Sequence, residues 1–125
     1  MVISDTSIWI EFLKNNEPFF KQMKELLEDR EILGIECIFG ELFQGVKNKR
    51  EKEIIASYWN NIPKINEHGL WIEAGKYSYK HKLIDKGIGL IDTLIIITAI
   101  KTNSLIWTLD IKLQKILGAM NYKRK

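Results

Sequence analysis

Asp5, Glu41, Asp92 and Asp110 are the side chains of this sequence best placed for chemistry. Asp5 ends the opening apolar run Met1-Val2-Ile3 and precedes Thr6-Ser7-Ile8-Trp9-Ile10. Glu41 lies in Gly40-Glu41-Leu42-Phe43-Gln44-Gly45-Val46, Asp92 opens the run Thr93 to Ile100, and Asp110 closes Trp107-Thr108-Leu109. A carboxylate in an apolar segment carries a large desolvation cost unless something compensates it. Each acid also has a purely structural explanation. Asp5, Asp92 and Asp110 could cap helices, where backbone N–H groups and the helix dipole favour negative charge, and Glu41 could be half-buried against a lysine. Together the four suggest more, because carboxylates gathered at one edge repel one another and raise their own pKa values unless a cation balances them. Hard oxygen ligands without Cys or His suit Mg²⁺ or Mn²⁺.

The elements that must position these acids alternate along the chain. Val2 to Ser4 reads as a strand, and Thr6 or Ser7 can cap a helix carrying Ile8, Trp9, Phe12 and Leu13. Helices follow at Phe20 to Asp29, Cys37 to Val46 and Lys52 to Asn60, with short strands at Glu31 to Ile35 and Ile62 to Ile65, the latter limited by Pro63. A long helix is expected over Glu67 to Ile84, then a turn at Gly87 and Gly89, then a helix over Asp92 to Lys101 so uniformly apolar that it must be buried on all sides. Asn103 fits a left-handed helix cap. Leu105 to Thr108 reads as a strand, Leu113 to Leu117 as a last helix, and Gly118 to Tyr122 as an edge strand. This alternation predicts an α/β fold, a three-layer α/β/α sandwich around a mainly parallel sheet, and no repeat or linker divides residues 1–125. In such sheets ligands lie at the carboxyl ends of the strands, where Asp5 and Asp110 fall.

Composition bounds the rest. At 125 residues, 46% hydrophobic and 28% charged, the chain is ordinary for one globular domain. A single cysteine, Cys37, excludes a disulfide framework and suits a reducing cytoplasm. The longest apolar stretch, Leu94 to Ile100, is too short to span a bilayer, and no leader precedes Asp5, so no membrane role is expected. The formal charge of +3 hides an asymmetry: without the four candidate acids, 19 Lys and Arg face only 12 Asp and Glu. A basic body around an acidic pocket attracts a polyanion, while the pocket needs a cation before it can accept one.

Asp5-Thr6-Ser7-Ile8-Trp9-Ile10-Glu11-Phe12-Leu13, Glu41-Leu42 with Gly45, Asp92 before Ile96-Ile97-Thr98-Ala99-Ile100, and Thr108-Leu109-Asp110 resemble the PIN-domain ribonucleases, and specifically the small VapC-type toxins of toxin–antitoxin modules. The resemblance spans residue 2 to about residue 117. It implies that Asp5, Glu41 and Asp92 are the family's near-invariant metal-site acids, Asp110 its more variable fourth acid, and Ser7 and Thr108 the hydroxyls flanking that site. It implies an endoribonuclease dependent on Mg²⁺ or Mn²⁺ that cuts structured RNA, such as tRNA or a ribosomal RNA loop, and so arrests translation. It further implies a homodimer held inactive by a cognate VapB-type antitoxin. The sequence departs from the pattern in having Glu36 and Cys37 where relatives often start a helix with Ser or Thr, and Ile111-Lys112-Leu113 after Asp110; neither departure removes an acid.

Other readings are weaker. A dehalogenase-type phosphotransferase needs a second Asp two residues after the first, and position 7 is Ser. A receiver domain needs an acidic pair near the first strand, which is missing. A PIN nuclease of RNA maturation or decay, or a non-catalytic PIN-like module that binds RNA or an antitoxin, remain as alternatives. Phe19, Phe20, Trp59 and Trp71 read as core, His68 and His81 as surface, and Cys37 as a small buried residue.

Overall fold

Two triplets of strongly apolar sequence make the centre of the sheet. In the computed structural model, which describes residues 1–125, β1 (Val2–Ser4) pairs in parallel with β2 (Leu105–Trp107) in the register Val2 to Leu105, Ile3 to Ile106 and Ser4 to Trp107. Single parallel bridges extend it on both sides. Val2 meets Ile32, Gly34 meets Lys64, and on the far side of β2 Ile106 meets Arg124. The chain therefore crosses the sheet in the order 64, 32–34, β1, β2, 124, every neighbour parallel.

Helices connect and cover these strands: α1 (Thr6–Leu13), α2 (Phe19–Glu28), α3 (Glu36–Gln44), α4 (Lys49–Asn61), α5 (Leu70–His81), α6 (Leu90–Thr102) and α7 (Ile111–Ala119), with a 3₁₀ turn at Ile84–Lys86. The result is the expected α/β/α sandwich. α1 packs on α2 and α3, α3 on α4, and α5 lies along α6. The uniform hydrophobicity of α6 has the consequence the sequence implied, since Thr93 through Ala99 are all buried. Leu94 and Ile97 meet Leu70 and Ala74 of α5, while Ile95, Ile96 and Ala99 join the main core with Ile3, Ile8, Trp9 and Ile106. Asn103 ends α6 at φ 51° and ψ 43°, the left-handed cap its type favours. No helix is long and apolar enough to cross a membrane.

Several boundaries differ from the sequence expectation. The strands expected at 31–35 and 62–65 contract to single bridges. They are held by close approach: a Cβ on Gly34 would come within 2.6 Å of Ile62 Cδ1, so only glycine lets the two segments pair. The long helix expected over 67–84 is cut at both ends by left-handed residues, Gly69 at φ 79° and Lys82 at φ 53°. The last helix runs two residues further than expected at each end, over Ile111–Ala119, and a left-handed Asn121 follows it. The edge contact consequently moves from 118–122 to Arg124, where the Lys125 N–H donates to the Ile106 carbonyl at 2.9 Å. Phe19, Phe20 and Trp59 pack against the core as expected, whereas Trp71 is exposed.

Candidate functional site

Parallel pairing of β1 with β2 fixes Asp5 and Thr108 side by side, because each follows the last residue of its strand. The Asp5 N–H continues the ladder by donating to the Trp107 carbonyl at 3.0 Å. Asp5, and not Thr6 or Ser7, is the N-cap of α1: its Oδ1 accepts the Ser7 and Ile8 N–H groups at 3.0 and 3.4 Å and the Ser7 hydroxyl. The Thr108 hydroxyl donates to the other oxygen, Oδ2. Ser7 Oγ in turn accepts the Leu109 N–H at 3.0 Å, and Thr108 Oγ1 accepts the Asp110 N–H at 3.0 Å. One carboxylate thus ties the start of α1 to the loop after β2. Burial pushes the Asp5 carboxyl up, against the pull of the Ser7 and Thr108 hydroxyls and the two N–H groups.

Asp110 caps α7 through Lys112 N–H at 2.8 Å and Leu113 N–H at 3.4 Å. For these two residues the structural explanation and the functional one are not alternatives, since a cap leaves a carboxylate with acceptor capacity to spare. Glu41 differs from its expected setting. It is exposed, not turned inward, because the buried stripe of α3 runs through Ile38, Phe39 and Leu42 and passes beside it. No lysine pairs with it. Its Oε1 accepts the Thr6 hydroxyl at 2.9 Å, a contact that links α1 to α3 and that no spacing in the sequence signalled.

Asp92 is not a cap either. Gly89 takes that position on α6 without a side-chain bond, which leaves Asp92 partly buried in the first turn. Its carboxyl is pushed up to about 6, first by burial and then by the charges of Asp110, Asp5 and Glu41, with no donor offsetting them. The charges of the other three acids therefore reach Asp92. None of the four joins the chain's ion pairs, which are the Met1 amino group with Glu31, Lys49 with Glu53 and Lys101 with Glu73. No three of these side chains approach closely enough to hold a metal ion.

An open groove of about 800 Å³ adjoins this edge and shares Thr6 and Glu41 with it, the rest of its wall coming from α1, α3 and α4. Elsewhere His68 and His81 are exposed, and burial together with Glu67 and Glu41 pushes the half-buried Cys37 thiol up to about 12, too high for a reactive thiolate.

Thr108→Val tests the junction at Asp5. Removing a hydroxyl that donates to a buried carboxylate is expected to cost ~1.5–3 kcal/mol of stability in urea at neutral pH, and less in acid, where the protonated Asp5 needs the donor less.

A family model described as PIN domain matches residues 2–118 of the chain. No curated protein gives a match.

Proposed function

Since the chain belongs to the PIN-domain family, a family of nucleases that generally act with divalent metal ions, we propose that it is a Mg²⁺- or Mn²⁺-dependent endoribonuclease whose site is Asp5, Glu41, Asp92 and Asp110. The observation that carries this is Asp92, held near pKa 6 by burial and by three like charges, with no cation paired to any of the four. Perturbation of that kind by burial together with specific like charges, at a sheet edge beside an open groove, is a signature of function. The donors are all carboxylate oxygens, with no thiolate or imidazole among them, so the group they fit is a hard divalent cation. Such an ion supplies polarisation of the scissile phosphate and activation of water when bound.

The protein's own contribution is placement. Asp5 and Asp92 would hold the cation directly, and Glu41 and Asp110 would hold it or orient water beside it. Ser7 and Thr108 fix both oxygens of Asp5, and Thr6 fixes Glu41, so little side-chain freedom is lost when the site loads. The basic body favours an RNA polyanion.

Within the family we place the chain among VapC-type toxins, which cut structured RNA and inhibit translation, with a VapB-type antitoxin and a second copy of the chain as partners. That placement rests on the sequence resemblance. A maturation or decay nuclease would use the same site. Growth arrest on expression, reversed by the product of an adjacent gene, separates the toxin from that alternative.

The direct test is cleavage of total RNA by the purified protein with Mg²⁺ or Mn²⁺, against EDTA and against Asp5→Asn. Discrete fragments lost in both controls are expected. A folded wild-type chain that cuts nothing with either ion would shift the assignment to a non-catalytic binding module.

A further inference from the structure

The four segments that supply the acids, residues 5–11, 36–45, 87–93 and 108–112, contain one cation, Lys112. Exposed aliphatic side chains flank two of the acids, Leu90 and Ile91 before Asp92 and Leu109 and Ile111 on either side of Asp110. Lys112 is exposed and joins no ion pair, although it lies two residues from Asp110. It occupies the first turn of α7, where the helix dipole opposes a positive charge. Helix stability therefore gives no account of a cation there.

Its reach does. The side chain extends across the Gly87 turn, with Cδ and Nζ each 3.8 Å from where a Cβ on Gly87 would stand. Gly87 is left-handed, at φ 77°, and precedes by five residues the Asp92 of α6. The ammonium thus reaches from α7, which Asp110 caps, to the Gly87 turn that leads into α6 and Asp92, and it pairs with neither carboxylate.

We propose that Lys112 is a positioning residue for the substrate, binding a non-bridging oxygen of the phosphate next to the scissile one. The proposal rests on the nuclease reading of the acidic site. A strand entering that site brings a phosphate every nucleotide, and the Lys112 ammonium can neutralise one that the carboxylates would repel. Lys112 holds register; it does not touch the reacting atoms.

The test compares wild type, Lys112→Gln and Lys112→Arg on a fluorescein-labelled single-stranded oligoribonucleotide of mixed sequence. Anisotropy across a salt series in Ca²⁺ gives affinity, and cleavage of total RNA in Mg²⁺ reports activity on the same preparations. Lys112→Gln is expected to weaken binding about tenfold and to lower the salt slope by about one. It should leave the melting temperature unchanged or slightly raised, and Lys112→Arg should restore binding. Where the mapped site permits steady-state kinetics, KM should rise and kcat stay near the wild-type value. Equal affinity and equal salt slope in wild type and Lys112→Gln overturn the assignment, whatever happens to cleavage. Weakened binding in Lys112→Gln, with no cleavage by any form, supports Lys112 as a phosphate contact and overturns the nuclease reading instead.

Discussion

Asp92→Asn is expected to reduce RNA cleavage by more than ~100-fold while making the metal-free protein harder to unfold. The first effect follows from the site proposed above: even residues that merely orient ligands typically cost ~10–100-fold when changed, and a direct ligand should exceed that. The second follows from electrostatics. The Asp92 carboxyl titrates near 3.8 in an unfolded chain and is pushed up to about 6 in the fold. Below the lower value both states carry the proton and the group is neutral toward stability. As pH rises through the interval the unfolded chain ionises first, so stability falls, and above about 6 the fold carries the full cost of a poorly solvated charge. In a dry site that shift would amount to ~3 kcal/mol. Asp92 is only partly buried, and solvent screening reduces the expected effect to ~1 kcal/mol. Asparagine removes the charge at nearly constant shape. Urea denaturation in EDTA should therefore show Asp92→Asn more stable than wild type at slightly alkaline pH, with the two converging in acid. Added Mg²⁺ should raise the midpoint of the wild type and leave the variant unmoved. A variant less stable than wild type at alkaline pH would mean that Asp92 is a structural carboxylate with donors of its own, and the site reading would lose its main support.

How much of the fold the sequence carries depends on how local each determinant is. Strong, long patterns survived: the apolar run from Leu94 lies in an α6 buried from Thr93 to Ala99, and Asn103 gave its cap. The sheet was legible in order but not in length, because its pairings at 32–34, 64 and 124 are single bridges whose partners lie far away in sequence. Local pattern cannot report whether a segment pairs over one residue or five. The choice of N-cap for α1 was ambiguous for a different reason. Asp5, Thr6 and Ser7 are all good N-cap types, and what selects Asp5 is that β1 ends at Ser4 and leaves the next residue extended, at φ −75° and ψ −179°. The four acids were visible as residue types at strand ends and in apolar runs. Their mutual influence on Asp92 was not, since it depends on the parallel register of β1 with β2 and on α3 lying against α1. Thr6 was misread as a possible cap, and its bond to Glu41 crosses 35 positions of sequence.

That α1–α3 contact also sets the second large effect, in Trp9→Ala. Trp9 is 1% exposed. Its ring stands edge-on to Phe12 at 5.8 Å and to Phe39 at 5.1 Å, and tilted to Tyr58 at 5.5 Å, so one side chain joins α1 to both α3 and α4. Truncation removes the transfer free energy of the indole and leaves a cavity among rigid rings, for an expected loss of ~3–5 kcal/mol. Against a domain stability of ~5–15 kcal/mol this is a large fraction. Trp9→Phe keeps most of the contact and should cost clearly less. The functional consequence runs through Glu41. Trp9 is one turn from Asp5 on α1, and Phe39 is two residues from Glu41 on α3, so the packed rings fix the distance that the Thr6–Glu41 bond then fine-tunes. A shift of ~1 Å in a reacting constellation can cost ~100-fold in rate. Assayed in the cold, where circular dichroism shows the variant folded, Trp9→Ala should still cut RNA at least ~10-fold more slowly than wild type, and Trp9→Phe close to the wild-type rate. Destabilisation with an unchanged rate would show that the sheet edge alone positions the acids, and that the aromatic layer supports the fold without tuning the site.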